Sequence, residues 1–120
     1  MNFEQQKRLF EWQKRNFDNA ELWKMSKADL ISLINKMQMV MGMAEEVGEV
    51  AHALLKHSER IRDYVDKSPL DDIIDGVIDS QIYGTQLLSS FGVNVEKATE
   101  NVIESVTNRD WKKYPGGENF

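Results

Sequence analysis

MQMVMGMAEEVGEVAHALL, residues 37–55, reads as the middle of a helix whose only charged side chains are Glu45, Glu46 and Glu49. Most of their neighbours are apolar or small. A second helical stretch, LDDIIDGVIDSQIYGTQLLSSFGVNV at 70–95, repeats the pattern with Asp71, Asp72, Asp75 and Asp79 and no Lys or Arg. Solvated helix faces normally mix charge signs, because Glu–Lys pairs one turn apart help and like-charge pairs hurt. Two helices that each carry unpaired carboxylates in apolar surroundings call for a positive charge between them. A divalent metal ion is the economical answer, and it points towards phosphate chemistry.

On a helical projection of about 100° per residue, the apolar stripe of the first stretch centres on Val40, Val47 and Ala51, and Glu46 and Glu49 lie almost opposite. That opposite side also carries Met39, Gly42, Met43, Val50 and Ala53. A helix apolar nearly all round is central in its bundle, so the glutamates are expected to be partly buried, which is costly without a partner. Gly48, between them, suggests close approach of another helix or a ligand. On the second stretch Asp72, Asp75 and Asp79 fall within about 60° of each other, with Tyr83 and Gln86 on the same side. Ile73, Ile74, Val77, Ile78 and Leu88 form the expected core side.

Working outward, four main helices are expected. The first covers about Phe3 to Phe17 and stops at Asp18-Asn19. The second starts near Ser26, where Ser-Lys-Ala-Asp resembles a capping box, and continues to about Arg60 unless Gly42 breaks it. A polar connection, Asp63 to Ser68, leads to Pro69 in the first turn of the third helix, which ends at Phe91 with Gly92 as a left-handed cap. The fourth covers about Val95 to Trp111, and the tail 114–120 is expected to be flexible loop. No convincing alternating β-branched run occurs. The fold class is therefore all-α: a four-helix bundle forming a single domain over 1–120. Its central helix, apolar on both sides, is expected to bury one side in a homodimer or dimer of dimers.

The 120 residues fit one domain with a modest core, and 41% hydrophobic with 29% charged residues is a globular composition. The net charge of −5 argues against a nucleic-acid polymer as partner. The absence of cysteine excludes disulfides, zinc–thiolate sites and thiol nucleophiles. No signal-peptide pattern or membrane-spanning run is present, so a cytoplasmic location is expected.

All-carboxylate ligands suit a hard ion, Mg²⁺ with Mn²⁺ as the alternative. Glu49-Val-Ala-His52 has the Glu-x-x-His spacing of di-iron bundles, but the only other histidine, His57, does not supply a second copy on a partner helix.

The segment Ala44-Glu-Glu-Val-Gly-Glu-Val-Ala-His-Ala-Leu-Leu-Lys56 resembles the Glu-Glu-x-x-Glu motif of MazG-like, all-α nucleoside triphosphate pyrophosphohydrolases. Asp75-Gly-Val-Ile-Asp79-Ser-Gln-Ile-Tyr83 resembles their second motif. Asn108-Arg-Asp-Trp-Lys-Lys-Tyr-Pro115 is similar to their C-terminal basic segment, and Trp12-Gln-Lys-Arg-Asn-Phe17 to the N-terminal stretch of one branch. The usual second motif is Glu-x-x-Asp; here Gly76 stands in the first position. Asp75 with Asp79 is the favoured ligand pair, with Asp72 in reserve.

The resemblance implies cleavage of a nucleoside triphosphate between the α- and β-phosphates. Glu46, Glu49, Asp75 and Asp79 would hold the metal, and Glu45 or Glu49 would accept the proton of the attacking water. Lys56, Tyr83, Arg109, Lys112 and Lys113 are the expected phosphate contacts. Trp12, Asn16 and Phe17 are the expected base contacts, with Trp23 a further aromatic. The alternatives are a hydrolase of another phosphate substrate, such as a phosphoribosyl-nucleotide, and a non-catalytic helical metal-binding or interaction module.

Overall fold

The structure, a computed structural model, describes residues 1–117 and is all-helical there; the last three residues of the expected tail lie outside the described residues. The elements are α1 (Phe3–Asn16), α2 (Ala20–Trp23), α3 (Lys27–Glu59), a 3₁₀ turn (Arg62–Tyr64), α4 (Leu70–Ser90) and α5 (Val95–Thr107). The four long helices are those expected. The one-turn α2 is an addition. The chain divides into two compact parts, Met1–Ile34 and the residues from Asn35 onward.

In the N-terminal part a reciprocal capping box starts α1. Gln5 N–H donates to Asn2 Oδ1 at 2.9 Å, and Asn2 N–H to Gln5 Oε1 at 2.8 Å. Asp18 Oδ1 accepts from Ala20 N–H, and Asn19 adopts a left-handed φ of 58°, so Asp18-Asn19 stops α1 and turns the chain into α2. Ser26 Oγ accepts from Asp29 N–H at 3.1 Å, which satisfies one of the orphan donors at the start of α3.

Two glycines do not interrupt α3, which runs unbroken for 33 residues, about 50 Å. The expected weak point at Gly42 is instead a packing site, as shown below. In the C-terminal part Gly92, at φ 74°, closes α4 by a Schellman arrangement. Val93 N–H donates to the Leu88 carbonyl and Gly92 N–H to that of Ser89. Asn94 Oδ1 accepts from Lys97 N–H and starts α5. That helix ends at Thr107, four residues earlier than expected, because Asp110 Oδ1 takes the N–H groups of Lys112 and Lys113 into a turn.

α3 and α4 pack through their small and acidic faces. A Cβ at Gly42 would lie 2.6 Å from the Tyr83 ring, and one at Gly76 would lie 2.6 Å from Val50 Cγ2 and 3.1 Å from the Glu46 carbonyl oxygen. These contacts pair residue 42 with 83 and 46–50 with 76, so the helices run antiparallel. Gly42, Ala53 and Gly76 are buried, and Met39, Met43, Val50, Asp72 and Tyr83 are half-buried. The expected core side of α4 is therefore largely corrected. Ile73 is half-buried, but Ile74, Val77, Ile78 and Leu88 are exposed, Ile78 at 48%. The main apolar stripe of α3 is exposed too, with Val47 at 60%. Amphipathic helices turn their apolar stripe to a partner, and within one chain this pair does the reverse. Among the described residues Ala53 and Tyr64 are the only buried hydrophobic side chains. Among them, too, no helix is long and apolar enough to cross a membrane.

Candidate functional site

The antiparallel register brings Glu46 of α3 level with Asp79 of α4. Glu46 is half-buried, on the side of α3 that meets Gly76. Partial burial pushes its carboxyl above the ordinary carboxylate range. The charges of Glu49, Asp79 and Glu45 add to that, as does a hydrogen bond with Glu49. Acidic groups from two separate helices thus lie within electrostatic reach of each other. Glu45, Glu49, Asp75 and Asp79 are exposed, so the expectation of partial burial holds for Glu46 and is corrected for Glu45 and Glu49. The reason is the inverted packing, which leaves both at the rim of the helix contact. None of these five carboxylates forms an ion pair among the described residues. Nor, among those residues, are any three acidic or histidine side chains gathered round one point.

The close-approach glycine is not the one expected. A Cβ at Gly48 would meet nothing within 4 Å, whereas Gly76 is pressed against α3. A glutamate side chain at 76 does not fit this crossing.

Asp72 stands apart. The Tyr64 hydroxyl donates to its Oδ2 at 2.7 Å, and Lys67 Nζ donates to the same oxygen at 3.3 Å. These two donors, Tyr64 first, hold the Asp72 carboxyl below the ordinary range, and the same bond pushes the Tyr64 hydroxyl up. Tyr64 was invisible in sequence, as a lone aromatic in a polar connection. The signal that could have found it is that very isolation, since a ring among charges needs somewhere to go.

The remaining expected residues fall into separate groups. Lys56 is nearly covered and pairs with Glu59 at 3.4 Å. Tyr83 lies with its ring on the Gly42 backbone, one turn before Glu46. Beyond α5, Arg109 stacks its guanidinium 5.9 Å from the Trp111 ring, and Lys113 lies 5.3 Å from that of Tyr114. Lys112 is exposed between them. In the N-terminal part Trp12 and Phe17 meet edge to face at 5.5 Å. Asn16 Nδ2 donates to the Trp12 carbonyl at 2.8 Å. Trp23 is almost fully exposed.

Comparison of the chain with known protein families, curated proteins and solved structures finds no match.

Proposed function

We propose that this protein is a Mg²⁺-dependent nucleoside triphosphate pyrophosphohydrolase of the MazG-like kind, releasing a nucleoside monophosphate and pyrophosphate. One observation carries the reading: Glu46 of α3 and Asp79 of α4 share one electrostatic cluster with Glu45 and Glu49, and among the described residues no basic side chain pairs with it. A donor set made wholly of carboxylate oxygens, crowded enough to raise the affinity of one member for a proton, suits a hard divalent cation.

Glu46, Glu49, Asp75 and Asp79 would hold the ion. When bound there, Mg²⁺ neutralises and orients the phosphate oxygens. The chain's own groups supply the rest. Glu49, or Glu45 one turn before it, accepts a proton from water as the water oxygen attacks the α-phosphorus. The bond from that phosphorus to the bridging oxygen then breaks, and pyrophosphate leaves. Lys56 meets the phosphates by exchanging Glu59 for them, and Tyr83, Arg109, Lys112 and Lys113 complete the phosphate contacts. In the N-terminal part Trp12 and Phe17 form an aromatic surface of the kind on which a base stacks, with Asn16 beside it.

The exposed apolar stripes of α3 and α4 support a homo-oligomer, as a dimer or dimer of dimers, in which a second copy covers Val40, Val47, Ile74 and Ile78. Val47→Glu places a charge in that surface and should yield monomer in light scattering.

The decisive assay incubates the purified protein with nucleoside triphosphates and Mg²⁺ and resolves mono- from diphosphate products. Monophosphate and pyrophosphate are expected. Glu49→Gln should abolish their release with the helical circular dichroism intact. Diphosphate products, or full activity in that variant, would overturn the reading.

A further inference from the structure

α3 and α4 end in the same hydrogen-bond pattern, and only α4 ends it on glycine. There Gly92 N–H donates to the Ser89 carbonyl and Val93 N–H to that of Leu88, with Gly92 at φ 74°. At the end of α3, Arg60 N–H donates to the His57 carbonyl and Ile61 N–H to that of Lys56, with Arg60 at φ 53°. Glycine is the usual residue at this place because a Cβ is penalised there, and Arg60 carries one. Arg62, two residues on, is left-handed as well, at φ 58°. Backbone held in such conformations persists only where its surroundings over-determine it.

What holds it is one side chain. From Arg60 to Ser68 every residue except Tyr64 is exposed, and Tyr64 is 9% exposed. Its ring meets His52 of α3 edge to face at 6.4 Å, and its hydroxyl donates to Asp72 Oδ2 of α4 at 2.7 Å. The other tie, from Lys67 Nζ to the same oxygen at 3.3 Å, joins two solvent-exposed side chains and adds little. A segment with so few buried contacts opens at low cost while the elements around it stay folded.

We infer that residues 60–68 form a strap, loaded by its left-handed backbone and clasped shut by the Tyr64 hydroxyl on Asp72, which opens as a local unit while α3 and α4 remain intact. Opening uncovers the Tyr64 ring and frees Asp72 from both donors at once. The strap therefore has two states, which differ in whether Asp72 is paired. The device requires no metal and stands whether or not the acidic cluster binds one.

Native-state hydrogen exchange of the full chain, read amide by amide by NMR at rising low urea, tests it. The reporters are the amides of residues 61 and 64, which donate to the Lys56 and Ile61 carbonyls. They should exchange faster than the interior amides of α4 and respond little to urea, because a local opening exposes little surface. Tyr64→Phe keeps the ring and should speed both reporters about tenfold or more, the scale of a hydrogen bond to a charged group. Arg60→Gly should slow them about threefold, as relief of the left-handed Cβ exceeds the extra freedom glycine gives the open strap. Reporters that follow urea as steeply as the α4 interior would show that no local unit exists. A change under about twofold in Tyr64→Phe would show that its hydroxyl is not the clasp. Exchange no slower in Arg60→Gly would show that the backbone is not loaded. Each of these results overturns the inference, and the first and third decide it even where Tyr64→Phe fails to fold.

Discussion

Asp72 and Asp79 stand two turns apart on one face of α4, and their surroundings are opposite. Asp72 meets donors, the hydroxyl of Tyr64 and the ammonium of Lys67. Asp79 lies within electrostatic reach of Glu46, itself crowded by Glu45 and Glu49. The first arrangement is complete without any added group, and it anchors the connection between two helices. The second is locally frustrated, since like charges have been brought together by packing that other residues enforce. Chains are on the whole built so that local choices agree with the fold, and conflicts are kept where function needs them. The contrast separates an acid that donors satisfy from acids crowded by like charge, although the sequence writes all of them as Asp or Glu on a helix.

The packing that enforces the conflict is the crossing at Gly76, so the largest effect should follow from changing it. Gly76→Ala puts a methyl 2.6 Å from Val50 Cγ2 and 3.1 Å from the Glu46 carbonyl oxygen. The valine is branched and the carbonyl belongs to a helix, so neither gives way easily. A loss of about 1–3 kcal/mol is expected in urea denaturation, net of any gain in helix propensity. Gly76→Glu should lose about 3 kcal/mol or more, because it adds a charge to the overpacked crossing. A Gly76→Ala protein as stable as the parent would mean that the helices do not cross this closely.

The two acids should also leave opposite marks on stability against pH. The Glu46 carboxyl titrates above its ordinary range. Its contribution is therefore full at pH values below that range and is lost as pH rises through the raised value. The Asp72 carboxyl titrates below its ordinary range. Its contribution is present above that range and is lost as pH falls through the lowered value. In thermal melts with chelator, Glu46→Gln should remove the decline on the side of rising pH and melt slightly higher than the parent at neutral pH. Asp72→Asn should instead melt lower at neutral pH and flatten the acid limb. Identical pH profiles for the two variants would erase the distinction between the open acid and the satisfied one.

What could be read in advance follows from which signals are local. Helix existence and ends are local: Asp18-Asn19, Pro69 and Gly92 each act within a few residues, and each ends or starts an element where expected. α5 is shorter than its sequence pattern suggests because Asn108-Arg-Asp continues a polar pattern that Asp110 diverts into a turn. The acidic faces were legible as faces. Which face meets which helix was not, since an amphipathic stripe says that a partner exists and not whether the partner is the next helix or another surface. Ile74 and Ile78 had the composition of a core and lie outside. Tyr64 and Gly76 carry meaning only through residues far along the chain, His52 and Asp72 for one, Glu46 and Val50 for the other.

The smallest effect offers the finest discrimination, because Gly42 and Gly48 lie on the same helix and differ only in what stands opposite. At Gly42 a Cβ would meet the Tyr83 ring at 2.6 Å; at Gly48 it would meet nothing within 4 Å. Both are interior helix positions, where glycine costs roughly 0.5–1 kcal/mol against alanine through the freedom it gives the unfolded chain. At Gly48 only that effect operates, so Gly48→Ala should stabilise the protein by up to about 1 kcal/mol in urea denaturation. At Gly42 the same gain is outweighed by displacement of the ring, and Gly42→Ala should melt lower. A stabilising Gly42→Ala would show the Tyr83 ring to be loosely held, and a destabilising Gly48→Ala would show that something in solution already presses on the side of α3 next to Glu45 and Glu49.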